Sequence, residues 1–244
     1  MELVAKSNIT KQENTKFENM GYVLDGSNEH KVSKGYQINE ISTIDNSNQT
    51  ISLVSELRSS NDSEYSSDNE LWIKHIKYVN NTYGKGTFIM DRGYDGAILM
   101  ENVLKMGADF IIRAKFLKRN VYVNGDKTTI QNLALKHKGY YKFSSRGQNL
   151  KVYSQTIKIK TQEAKDLDQY PLTLIIVKGF TLDKNTLNEA YMALITSRVV
   201  SGKNDVLQVV RDYLLRWKIE ESFKYKKQQF SLEKIMVRRY KRIK

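Results

Sequence analysis

Three consecutive segments limit the fold more than any other feature. TFIMD (Thr87 to Asp91) is a short apolar run of strand length. DGAILMENVLKMG, from Asp95, repeats apolar residues at helical spacing and stops at Gly107. ADFIIRAK (Ala108 to Lys115) is a second apolar run. Short runs rich in β-branched and aromatic residues read as buried strands, and a glycine just past the last periodic residue is a helix stop. Strand, helix, strand in that order predicts a mixed α/β sheet.

The flanking sequence extends this reading. Gly35 to Asp45 and Gln49 to Ser59 alternate apolar and polar residues around an Asp-Asn-Ser-Asn turn, which predicts a β-hairpin. SSNDSEYSSDNE then reads as a loop supplying a helix N-cap. LWIKHIKYVNNTYG after it is helical, with Leu71, Ile73, Ile76 and Val79 near one face. From about Asn120 to Arg198 the pattern turns strand-rich, with a hairpin signal at Val-Asn-Gly-Asp and one helical run, TIQNLALKHKG. After Ser201 the chain is helical, with Val206, Leu207, Val210, Leu214 and Trp217 as an apolar stripe. These shifts divide the chain into a first core part (1–119), a β-rich insertion (120–200) and a C-terminal helical part of the core (201–244).

Charge narrows the partner. Forty Lys and Arg against 27 Asp and Glu give a formal net charge of +13, which points to a polyanion, nucleic acid first. With no cysteine, disulfides and thiolate metal sites are excluded. The longest apolar run, Leu172 to Val177, is strand length, so no membrane partner is expected. His30, His75 and His137 show no metal-ligand spacing.

Two places carry candidate chemistry. Tyr213, Arg216, Glu220 and Lys227 are separated by three, four and seven positions, which on one continuous α-helix returns them to one face. The plain reading is a solvated face with Arg216–Glu220 as an i,i+4 pair of about 0.3–0.5 kcal/mol. Asp91 ends a buried strand, the edge where ligands bind in α/β sheets. Its plain reading is a helix cap, a role for which Asp95 competes.

On these residues the chain resembles a transposase of the DDE class, in the branch typified by insertion sequence type 4. The Y-x2-R-x3-E-x6-K signature reads Tyr213, Arg216, Glu220, Lys227, and DRGYD stands at the second acid. The resemblance implies an α/β, ribonuclease H-like fold with a β-rich insertion before the last catalytic helix. It implies binding of transposon-end DNA by a homodimer, and strand cleavage and transfer with Mg2+ or Mn2+. Asp91 and Glu220 would be catalytic metal ligands, and Tyr213, Arg216 and Lys227 would hold DNA phosphates. The third acid is Asp25, in GYVLDGSNEHKVSKGY, or else belongs upstream in AKSNITK, where Ala5 and Asn8 stand at the positions of acids. In the second case the chain is an inactive DNA-binding or dimerising fragment. The resemblance further implies a catalytic-core fragment working in the bacterial cytoplasm, at the nucleoid.

Overall fold

The computed structural model describes residues 1–11, 17–24, 32–145, 147–179, 191–234 and 239–240. In chain order the first elements are strands β1 (Glu2–Thr10), β2 (Gly21–Leu24), β3 (Val32–Ile44) and β4 (Thr50–Arg58), then helix α1 (Asp68–Tyr83). Next come β5 (Thr87–Met90), α2 (Ala97–Lys105), β6 (Asp109–Arg113), β7 (Asn120–Val123), β8 (Asp126–Thr129) and α3 (Ile130–Lys136). The last are β9 (Tyr141–Ser145), β10 (Gln148–Ile157), β11 (Leu172–Lys178), β12 (Tyr191–Thr196), α4 (Lys203–Leu214) and α5 (Trp217–Gln229). The architecture is mixed α/β, and the chain forms two compact units: Glu2–Val79 with Arg216–Lys244, and Asn80–Leu215 with Met1.

The unit of Glu2–Val79 and Arg216–Lys244 is built around the long strand β3. β1 pairs antiparallel with one edge of it, from Glu2↔Thr43 to Thr10↔Gly35. β2 and β4 share the other edge, and a bulge at Ile41/Ser42 shifts the β4 register. Gly35 is flanked on both edges, and a Cβ there would land on the Ile9 carbonyl, so the crossing of three strands requires glycine. Leu3, Val4, Ala5, Ile9, Tyr36 and Ile41 are buried on these strands; Trp72, Ile76 and Val79 are buried on α1, and Ile219 and Phe223 on α5. The Ser67 hydroxyl accepts the Glu70 N–H at 3.2 Å, the cap expected from the Ser/Asp-rich loop. Asp68 in the first turn of α1 pairs with Lys6 at 3.2 Å and with Arg58.

His75 on α1 lies 2.6 Å from Glu56 on β4. Burial pushes its imidazole below the ordinary histidine value, outweighing the Glu56 carboxylate, and Lys74 and Arg58 push the same way as burial. A depressed histidine contributes stability above its unfolded value near 6.5, and this is lost as pH falls through the folded value. The melting temperature should therefore fall as pH drops below about 6.5, and His75→Gln should flatten that fall. An unchanged slope in melting scans across that range would remove His75 as its source.

In the second unit β5 and β6 run parallel, Thr87↔Asp109 to Met90↔Ile112, with α2 as the crossover. The sheet continues antiparallel through β12, β11, β10 and β9. Phe88, Ile89, Met90, Phe110, Ile111 and Ile112 are almost fully buried, which is why both strands read as unbroken apolar runs. Gly107 closes α2 at φ +70. Asn124 and Gly125, both at positive φ, turn β7 into β8, as the Asn-Gly signal predicts.

One expectation fails. The continuous helix that would bring Tyr213, Arg216, Glu220 and Lys227 to one face is not formed: α4 ends at Leu214 and α5 starts at Trp217, with Leu215 and Arg216 in a tight turn of helical dihedrals. The buried positions show why. α4 buries Val206, Leu207, Val209, Val210 and Tyr213, whereas α5 buries Ile219 and Phe223. An uninterrupted 3.6-residue period from the first set would not bury both members of the second, and the turn changes the phase.

Candidate active site

Asp91 follows the last residue of β5, at the carboxyl end of a parallel pair. Its Oδ1 accepts the Gly93 N–H at 2.7 Å and so caps a one-turn 3-10 helix, Arg92–Tyr94. It also lines a cleft of about 440 Å³ with Arg92, Arg113, Lys115 and Tyr191. Three cationic side chains share the cleft with one partly exposed carboxylate, a lining whose cations are chemically suited to phosphate oxygens, and it lies at the carboxyl end of a parallel pair, where α/β sheets bind ligands. Burial pushes the Tyr191 phenol up from its ordinary value, which keeps it a neutral hydrogen-bond donor.

Asp95 is not the competing cap; Gly96 holds the N-cap of α2 with no side-chain bond. The Asp95 carboxylate is fully buried. Its Oδ2 accepts the backbone N–H groups of Lys115 at 2.7 Å and Phe116 at 3.1 Å, and its Oδ1 pairs with Arg119. The Asp95 carbonyl accepts Arg119 Nη2 at 3.0 Å. Within DRGYD the second acid therefore fastens the loop after β5 to the loop after β6, and the first faces the cleft.

The remaining signature residues divide between the units. Tyr213, on α4 in the unit of Asp91, is 6% exposed. Arg216, Glu220 and Lys227 belong to the other unit. There Arg216 Nη2 donates to Glu220 Oε1 at 2.6 Å, and the Glu220 side chain remains 58% exposed. Lys227 Nζ donates to the Asn8 carbonyl on β1 at 2.5 Å. Arg216 and Glu220 are thus brought together, and Lys227 follows on the same helix.

Sequence reasoning missed a neighbouring pair on the same helix. Lys226 Nζ meets both oxygens of Glu40 at 2.7 Å, and the Ser42 hydroxyl donates to Glu40 Oε1 at 2.6 Å. Glu40 is 1% exposed and lies directly across from Ala5 in the β1–β3 register. A glutamate at a core position of the strand QINEIS is the signal that a buried cation must be supplied from elsewhere.

Asp25 lies outside the described residues. β2 ends just before it, while Ala5 and Asn8 lie on β1. Among the described residues no three His, Cys, Asp or Glu side chains gather to hold a metal. Asp91 and Glu220 are carboxylates, the donor type that suits a hard divalent ion, and they stand in different units. No helix of the described residues is long and apolar enough to cross a membrane.

Comparison with known sequences shows the family. No curated protein matches the chain. The family described as Transposase DDE domain matches residues 14–244, nearly the whole chain. The mixed α/β architecture is consistent with the ribonuclease H-like fold of that family. This chain, with an acid set into a basic cleft at a strand end and a helix carrying an Arg–Glu pair, belongs to the transposase DDE domain family.

Proposed function

We propose that the chain is a transposase of the insertion sequence type 4 branch, which binds transposon-end DNA and cleaves and transfers strands with Mg2+ or Mn2+ as cofactor. The observation carrying this reading is Asp91 at the carboxyl end of β5, in a cleft shared with Arg92, Arg113 and Lys115. Of the three groups the signature offers for phosphate, Arg216 and Lys227 carry the charge, and a guanidinium can hold two phosphate oxygens at once. Asp91 and Glu220 are the proposed metal ligands. A divalent ion bound by such carboxylates supplies charge for in-line displacement at phosphorus. The protein would act as a homodimer on DNA in the bacterial cytoplasm, at the nucleoid.

The test is a nicking and joining assay on end DNA with Mg2+ or Mn2+, run beside a full-length member of the family. Asp91→Asn and Glu220→Gln should each lower the rate by about 10²–10³-fold or more, with end binding retained. An inactive wild-type chain beside an active relative would sink the catalytic reading. The alternative is a DNA-binding chain without cleavage. It draws on β1, where no acid stands between Leu3 and Thr10, and it expects end binding without cleavage in the same assay.

A further inference from the structure

Three lysines stand directly opposite one another on neighbouring antiparallel strands: Lys142 on β9 faces Lys151 on β10, and Lys151 faces Lys178 on β11. Directly opposed residues of antiparallel strands project from the same face of the sheet. The same line continues to Tyr191 on β12, and Tyr191 lines the cleft that holds Asp91. With strands about 4.8 Å apart, the row covers roughly 15 Å and ends at the candidate active site.

We propose that Lys142 and Lys151 form a cation pair that holds the backbone of an unpaired DNA strand, on the line that runs past Lys178 and Tyr191 to the Asp91 cleft, with Tyr140 as a stacking surface for its bases. The substrate rests on the transposase reading; the binding surface is an addition to it.

Like charges directly opposed across strands cost stability, so the exposed Lys142–Lys151 pair is unfavourable unless an anion lies along it. Lys142 and Lys151 are exposed, and among the described residues neither has an ion-pair partner. Lys178 is largely buried beside them. Along β9 and β10 the same face carries Tyr140, Ser144, Asn149, Tyr153 and Gln155, none of them acidic. The charge of Lys178 is felt on this side: His137 is held below its ordinary value by burial first, and then by Lys136 and Lys178.

Aromatic groups accompany the cations. Tyr140 is 63% exposed and rests edge-on against Tyr153, ring centres 5.4 Å apart. Its backbone N–H donates to the Val152 carbonyl at 3.0 Å, which prolongs the β9–β10 ladder and fixes the ring beside the row. On the far side His137 stacks on Tyr153 at 4.0 Å. A charged track with a braced, exposed ring is how proteins hold single strands without reading sequence, whereas duplex DNA offers no free base faces to stack.

The experiment measures binding of a fluorescent oligo-dT strand and of a duplex of equal length over a KCl series, without divalent metal. The K142E/K151E variant should bind the single strand at least about tenfold more weakly, and its log K against log salt slope should shrink by about 1.4, two phosphate contacts at about 0.7 each. K74E/K77E on α1, with the same charge change, should alter the slope by less than half of that. Tyr140→Ala should weaken the single strand several-fold and leave the duplex unchanged. K142Q/K151Q, which relieves the cross-strand repulsion, should melt at or above the wild-type temperature and still lose single-strand affinity. Row variants that bind like the α1 control overturn the track, even where the wild type cleaves end DNA. Loss confined to the row variants upholds it, and if the wild type then cleaves nothing, it is the transposase reading that falls.

Discussion

Asp95→Ala should destabilise the Asn80–Leu215 unit by about 3–5 kcal/mol, the range for removing one partner of a buried ion pair. The carboxylate is fully buried and receives two backbone N–H groups and the Arg119 guanidinium. Alanine strands all three donors, and Arg119, with a side chain only 15% exposed, keeps its charge in a site that no longer balances it. Unsatisfied buried donors cost about 1–3 kcal/mol each before relaxation. Asp95→Asn keeps an acceptor and should fall between wild type and alanine. Asp91→Asn, four residues away, should leave stability near wild type, because an Asn side chain still caps the Gly93 N–H. Urea denaturation of the three variants checks the ordering. If Asp95→Ala unfolds at the wild-type midpoint, the carboxylate is not a structural tie, and its place in DRGYD must be sought in the reaction.

The contrast between those two aspartates shows where sequence reading ends. Both stand in one pentapeptide, and helix-capping logic offered either as the cap. Its actual partners, Lys115, Phe116 and Arg119, lie twenty or more residues on, and no local pattern signals them. Local patterns served well where burial follows a period. β5, α2 and β6, the β3–β4 hairpin and the Asn124-Gly125 turn all form as their residues predict. Periodicity misled at Leu215–Arg216, because two helices of different apolar phase meet there and read as one stripe. β1 carried a mixed sequence, AKSNIT, and gains its strand character from pairing along β3 and from burial of Leu3, Val4 and Ile9. The lysine row is invisible in the sequence for the same reason: Lys142, Lys151 and Lys178 become neighbours only through register.

Ala5→Asp carries the second large effect, and it bears on the missing acid. Ala5 is 6% exposed and faces Glu40, which is 1% exposed and already uses Lys226 on both oxygens. An aspartate at position 5 places a second carboxylate on the same sheet face with one ammonium between the two. Without divalent metal this should cost on the order of 3 kcal/mol at neutral pH, and the loss should shrink as acid protonates one member of the pair. Ala5→Asn, which adds the same bulk without charge, separates the packing cost from the electrostatic one. If position 5 is where the first catalytic acid belongs, Mg2+ or Mn2+ should restore the aspartate variant and leave the asparagine variant unchanged. Metal at a hundredfold excess over its dissociation constant contributes about 2.7 kcal/mol, enough to offset most of the loss. Thermal melts with and without metal read this directly. A wild-type chain whose melting already responds to metal, and loses that response on Asp25→Ala, would instead assign the first ligand to Asp25 and leave Ala5 as an ordinary core residue of β1.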